Sequence, residues 1–311
     1  MCLACQAKEN PKTVDFTIRR LECCKKVTEI PLEFTQLTEL HCRVGCLVFK
    51  EIPKEFTQLI TLVCSWSPLL TFIPKEFTQL TELRCSKCPL LTEIPKEFTR
   101  LIKLNCEDCC SIKEIPKEFT QLTELVCREC PLLTEIPSEF AQLIELNCSR
   151  CPLLTEIPKE FTQLTHLDCR NLPLLTEIPK EFIQLTELLC SRCPLLTLIP
   201  REFTQLTWLY CSRCPLLTSI PKEFTRLTWF SCSDCPLITS IPKKFRYKEE
   251  SVPFLSFSEK VKFTFMFIKK RYLQEEIRYK LETQHNESYY APDGLGAQEL
   301  FDKYRDGLFA L

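Results

Sequence analysis

Leu80-Thr-Glu-Leu-Arg-Cys-Ser-Lys-Cys-Pro-Leu-Leu-Thr-Glu-Ile-Pro-Lys-Glu-Phe-Thr-Arg100 is a sentence of 21 residues, and Leu101 begins it again. About ten near-copies run through the chain, and their Ile-Pro pairs mark the beat at Pro31, Pro53, Pro74, Pro95, Pro116, Pro137, Pro158, Pro179, Pro200, Pro221 and Pro242. The first interval is 22 and every later one is 21. A fixed period of this length specifies a solenoid, in which each unit buries its apolar face only against its neighbours. Within the unit, L-x-x-L-x-C ends in apolar–polar alternation, which predicts a short strand with Leu83 and Cys85 inward and Glu82, Arg84 and Ser86 outward. The return limb C-P-L-L-T-E-I-P-K-E-F buries Leu91, Ile94 and Phe98. Its prolines remove backbone donors and fix φ, so the limb reads as turn, polyproline or short 3₁₀ segment.

With Cys85 in the third apolar slot and Cys88 in the Asn/Cys slot, the unit resembles the leucine-rich-repeat pattern L-x-x-L-x-L-x-x-N/C-x-L. The C-P-x-L-T-x-I-P continuation is similar to the irregular repeats of plant disease-resistance receptors and of giant-DNA-virus and protist repeat proteins. The resemblance covers about residues 18–245. It implies an α/β-type solenoid, a right-handed superhelix with a concave parallel sheet of about 11 short strands and an irregular convex limb. It also implies a protein-binding scaffold with no enzyme domain and no cofactor. A substrate-recruiting adaptor of a larger complex is the further role that family analogy suggests.

Three regions follow: a leader or cap over 1–17, the solenoid over 18–245, and a compositionally distinct tail over 246–311. The first unit is short, with Cys23-Cys24-Lys25-Lys26 in place of the usual turn, as a terminal repeat requires. In the tail, Ser256-x-x-Glu259 fits a capping box that opens a helix through about Gln284, with Val261, Phe265, Ile268 and Tyr272 at helical spacing. Pro292-Asp293-Gly294 is a turn, and Ala297 to Leu308 reads as a second helix. The pair is expected to cap the last repeat; a small docking or effector module is the alternative.

The charge balance of 40 basic and 41 acidic residues lacks the basic excess of a nucleic-acid protein. No apolar run reaches the length of a membrane span, and the N-terminus has no hydrophobic signal core. The expectation is a monomer in the cytosol, where the 23 cysteines stay reduced.

C-x-x-C pairs recur at Cys85/Cys88, Cys106/Cys109, Cys127/Cys130, Cys148/Cys151, Cys190/Cys193, Cys211/Cys214 and Cys232/Cys235. Isolated, such pairs would suggest zinc, which takes four thiolates. Ser67 and Leu172 occupy the second slot in two units, which interrupts a row of ligands but not a packed core, so the cysteines read as small hydrophobes. A zinc- or redox-responsive thiol protein remains the competing function. Cys2 and Cys5 lie outside the repeat; they could form a metal knot with Cys23 and Cys24 or carry acyl groups, though the leader reads first as irregular chain.

His41, His166 and His285 are the only histidines, and the four glycines allow no phosphate loop, so catalysis is not expected. The outward column Glu39, Glu82, Glu124, Glu145, Glu187 reads as a solvated acidic face rather than a cation track. Variation is concentrated at outward strand positions, whereas I-P-K-E-F-T-Q hardly changes. Candidate partner-binding residues are therefore Trp208, Tyr210 and Trp229 on adjacent units, joined by Trp66, Arg84, His166 and Asp168. Trp and Tyr lead because they bury large areas and keep a polar handle; the competing reading is that the C-terminal tail folds over these rings as part of its cap.

Overall fold

The computed structural model describes residues 3–9, 12, 14–23, 27, 29–42, 51–238 and 241. The expected tail cap over 246–311 lies outside them, as do Cys2 and Cys24. The chain is a solenoid of parallel strands in sequence order, divided into two compact units: Met1–Cys151 with Pro158–His166, and Pro152–Ile157 with Leu167–Leu311.

The first unit opens on α1 (Leu3–Glu9), which corrects the expectation of an irregular leader. The reason is burial: Ala4 and Ala7 are one turn apart, 1% and 5% exposed, and α1 packs on β1 (Arg20–Cys23). Then follow β2 (Glu39–Cys42), β3 (Thr61–Val63), β4 (Glu82–Arg84), β5 (Lys103–Asn105), β6 (Glu124–Val126) and β7 (Glu145–Asn147). Each strand pairs in parallel with the next, so that Leu40, Leu62, Leu83, Leu104, Leu125 and Leu146 stand in one register line. β8 (His166–Asp168) lies at the division, and the second unit carries β9 (Glu187–Leu189), β10 (Trp208–Tyr210) and β11 (Trp229–Ser231), again parallel and in register.

Inside each unit the repeat stacks like on like. Phe34, Phe56, Phe77, Phe98, Phe119, Phe140 and Phe161 form the aromatic spine of the first unit, and Phe182, Phe203 and Phe224 that of the second, none more than 1% exposed. The return limb is made of consecutive turns. Phe98 N donates to Pro95 O (3.2 Å), Leu101 N to Phe98 O (3.0 Å) and Leu91 N to Cys88 O (3.1 Å), a pattern that recurs with the repeat. Pro89 stands second in the Cys88–Leu91 turn, where its fixed φ is already suitable and its missing N–H is not needed. Among the described residues no helix is long and apolar enough to cross a membrane.

Candidate interaction surface

From β3 to β11 each repeat leaves the sheet through a corner whose geometry the sequence does not announce. Trp66, Lys87, Asp108, Glu129, Arg150, Asn171, Arg192, Arg213 and Asp234 all have φ between 56° and 63°. An L-residue with a Cβ is disfavoured there by about 1–2 kcal/mol, and glycine usually fills such sites. The conformation extends the hydrogen-bond ladder beyond the strand: Cys85 N donates to Asn105 O and Lys87 N to Glu107 O, both at 2.8 Å. Side chains before the corner help to set it. Asn147 Oδ1 accepts from Ser149 N (3.2 Å) and Ser149 Oγ (2.7 Å), and Asn105 Oδ1 from Glu107 N (3.1 Å) and Ser86 Oγ (2.7 Å).

The corner also explains the second cysteine. Its thiol donates to the carbonyl of the first cysteine one repeat earlier. In the first unit the pairs are Cys88 to Cys64 O (3.3 Å), Cys109 to Cys85 O (3.0 Å), Cys130 to Cys106 O (3.3 Å) and Cys151 to Cys127 O (3.0 Å). In the second they are Cys193 to Cys169 O (3.1 Å), Cys214 to Cys190 O (3.0 Å) and Cys235 to Cys211 O (3.1 Å). These cysteines are more than small hydrophobes: each satisfies a buried carbonyl, which would cost about 1–3 kcal/mol if left unpaired. The available signal was the Asn/Cys slot itself, since both residue types can donate.

None of the described cysteines is joined in a disulfide. The hydrogen bond with Cys109, followed by burial, pushes the Cys85 thiol well above the ordinary range; Cys88 and burial do the same to Cys64, Cys151 to Cys127 and Cys214 to Cys190. Burial pushes Cys235 up to about 12. Cys110, half-buried, is pushed up to about 11 by burial and then by Asp108. Since the thiolate is the nucleophile and the metal ligand, this raising works against both chemistries at the raised sulfurs, whereas hydrogen bonds with Cys64 and Cys190 hold the partner thiols of Cys88 and Cys214 below the ordinary range. Among the described residues no three His, Cys, Asp or Glu side chains are grouped so as to hold a metal ion. Of the four N-terminal cysteines, Cys5 is partly exposed on α1 and Cys23 is buried in β1.

The outward strand face is mixed rather than uniformly acidic. Lys103 Nζ lies 2.7 Å from Glu124 Oε2, and Arg84 Nε lies 2.6 Å from Glu82 Oε1. Arg84 therefore sits on the exposed face already tied to a carboxylate. His166 presents Nδ1 2.7 Å from Thr165 Oγ1. Asp168 is 8% exposed, and both its oxygens are held by Arg170, Oδ2 by NH2 at 2.6 Å and Oδ1 by Nε at 2.9 Å. Its carboxylate builds the corner and positions Arg170 instead of standing open to a partner. Trp66 occupies the left-handed corner after β3, not the strand itself, and Lys87 Nζ sits 3.9 Å from its ring centroid. The corner column, from Trp66 to Asp234, is thus a second variable row of side chains that strand periodicity misses.

Trp208, Tyr210 and Trp229 do meet. Parallel register sets Trp208 beside Trp229, and the indoles stack with centroids 4.2 Å apart and planes 17° from parallel. Tyr210 closes the group, 5.8 Å from Trp229 and tilted by 57°. Trp208 and Trp229 remain 39% and 37% exposed. Offset or tilted aromatic pairs contribute about 0.5–1.5 kcal/mol beyond burial, so the rings form a preorganised shelf.

The Leucine Rich Repeat family model matches residues 79–101, 142–164, 184–206 and 205–227. No curated protein matches the chain. Among solved structures, the functional domain of InlJ from Listeria monocytogenes, which includes a cysteine ladder, is 28% identical with a TM-score of 0.57. That match covers 72% of this chain and only 55% of the InlJ domain's length. The LRR protein LIC12759 of Leptospira interrogans is 25% identical with a TM-score of 0.53, covering 71% of this chain and 67% of its own. The repeated match, the parallel one-strand-per-repeat sheet and the thiol–carbonyl pairs agree: the chain carries leucine-rich repeats and is similar to leucine-rich-repeat proteins.

Proposed function

We propose that this chain is a non-enzymatic protein-interaction scaffold whose outward strand face binds a protein partner, with Trp208, Tyr210 and Trp229 as its centre. The observation that carries this reading is the stacked, half-exposed indole pair on adjacent strands. Preorganised aromatic groups lose little side-chain entropy on binding and dominate interface energetics. Arg84, His166 and Trp66 serve as peripheral contacts in this reading, and Asp168 acts through Arg170. The buried thiols that donate to carbonyls of the preceding repeat support a structural role for the cysteines over zinc or redox chemistry. In this reading the chain is a monomer in a reducing, cytosolic compartment, with residues 246–311 as the cap of the last repeat.

The test is affinity capture with the full chain under reducing conditions, comparing wild type with Trp208→Ala/Trp229→Ala. Loss of the captured partner with an unchanged circular dichroism spectrum and melting profile supports the shelf. Equal capture by the double variant, or its unfolding, overturns it.

A further inference from the structure

One cysteine pair of the first unit departs from the structural role of the others. In the column of second cysteines, Cys88 is followed at each period by Cys109, Cys130 and Cys151, but the place one period before it belongs to Ser67. Strands lie about 4.8 Å apart, so Ser67 and Cys88 are neighbours along the stack. Ser67 is 1% exposed, and among the described residues its Oγ has no hydrogen-bond partner. The thiols that follow it in the column each donate to a carbonyl of the preceding repeat. A buried hydroxyl left unpaired is costly, and in native proteins it marks a strained, reactive or ligand-receiving place. Leu172, the other interruption of the column, leaves no polar side-chain atom in its slot.

The two thiols beside Ser67 are unequal. Cys88 Sγ donates to Cys64 O at 3.3 Å, and the Cys64 thiol donates in turn to Cys88. The backbone N–H of Ser67 is a second donor to the Cys88 sulfur. These donors, Cys64 first, hold the Cys88 thiol below its ordinary range against its burial, while the same bond and burial push Cys64 up. Cys88 is the readier nucleophile, and Cys64 keeps its proton beside it. Both are sealed from bulk solvent, at 0% and 1% exposure. That burial admits a small uncharged oxidant during local opening and shuts out a bulky one such as oxidised glutathione. In the second unit Cys214 is also lowered, by Cys190 first, but a thiol, Cys193, fills the slot before it.

We propose that Cys88, Cys64 and Ser67 form a peroxide-reactive site: Cys88 is the sulfur oxidised, Cys64 resolves it, and Ser67 Oγ hydrogen-bonds the incoming hydrogen peroxide. Cys88 gives up its proton and attacks one peroxide oxygen; the O–O bond breaks, and the departing hydroxide takes the proton and leaves as water. The Cys64 sulfur then attacks the Cys88 sulfenic acid, forming the S–S bond and breaking S–O, and the Cys64 proton leaves with the hydroxyl as a second water. The two thiols together lose two electrons and the peroxide gains them. The site is independent of the aromatic shelf. In the test, the reduced full chain is treated with hydrogen peroxide at neutral pH, quenched with N-ethylmaleimide and digested with trypsin. The expected product joins peptide 55–75 to peptide 88–96, is reversed by dithiothreitol, and forms at least about tenfold faster than links within Cys85/Cys109 or Cys190/Cys214. That ranking is read within the wild-type chain, so it depends on no variant folding. Ser67→Cys restores the thiol of the regular column and should slow the link to the rate of the other pairs. Cys64→Ser should trap Cys88 as a sulfenic acid that dimedone labels. Equal rates across the pairs, no link in the folded wild type, an unchanged rate in Ser67→Cys, or equally fast linking by oxidised glutathione overturns the proposal.

Discussion

Arg192→Gly is expected to stabilise this protein, an unusual outcome for a glycine introduced into a repeat. Arg192 is exposed and holds φ at 59°. Its N–H donates to Ser212 O at 2.9 Å, a bond that any residue but proline keeps. The left-handed conformation costs a residue with a Cβ about 1–2 kcal/mol. Glycine avoids that cost but loses about 0.5–1 kcal/mol more backbone entropy on folding. The net expectation is a gain of about 0.5–1 kcal/mol over arginine. Arg192→Ala is the control: it removes the same side chain while keeping the Cβ, so it gains nothing. Urea unfolding under reductant, followed by circular dichroism, compares the three proteins, with thermal melting as a second reading. Corner sites in alternate repeats are separated by two strand spacings, about 9.6 Å, so substituting two or three of them should add the gains. The reasoning is refuted if Arg192→Gly is no more stable than Arg192→Ala, because the Cβ penalty is then absent from the native corner.

Cys151→Ala should cost about 2–3 kcal/mol, since it orphans Cys127 O as well as removing a fully buried sulfur, and Cys151→Asn should recover part of that loss by restoring a donor; equal urea midpoints for the two variants would rule this out. Stability should fall at alkaline pH. The folded state holds the protons of Cys85 and Cys127 more tightly than the unfolded chain, whose thiols ionise at about 8.5, so this contribution is complete below that pH and declines above it. A urea midpoint unchanged between neutral pH and pH of about 10.5 would contradict it. Stacked indoles couple excitonically, so a near-ultraviolet circular dichroism couplet should disappear equally in Trp208→Phe and Trp229→Phe; a couplet surviving in either variant means that the rings are not stacked in solution.

Much of the architecture is legible in the sequence because the repeat is periodic. Leu83 and Cys85, and their counterparts one period on, reveal the inward side of every strand. The difference of 21 between Trp208 and Trp229 already places them on adjacent units. A solenoid lends itself to such reading, since each repeat meets only a copy of itself and no distant segment can override the local pattern. Three features needed the tertiary structure. The left-handed corners are hidden because lysine, arginine and glutamate stand where glycine would have signalled φ above zero. The thiol–carbonyl bonds are hidden because cysteine serves equally as a small hydrophobe and as a donor, and only its distance to a neighbouring carbonyl separates the roles. The fate of Asp168 follows the same rule. A polar residue at an outward position looks available to a partner, yet Arg170 occupies the carboxylate. Period and polarity determine which way a side chain faces; only the folded neighbours decide whether its hydrogen-bonding capacity is already spent.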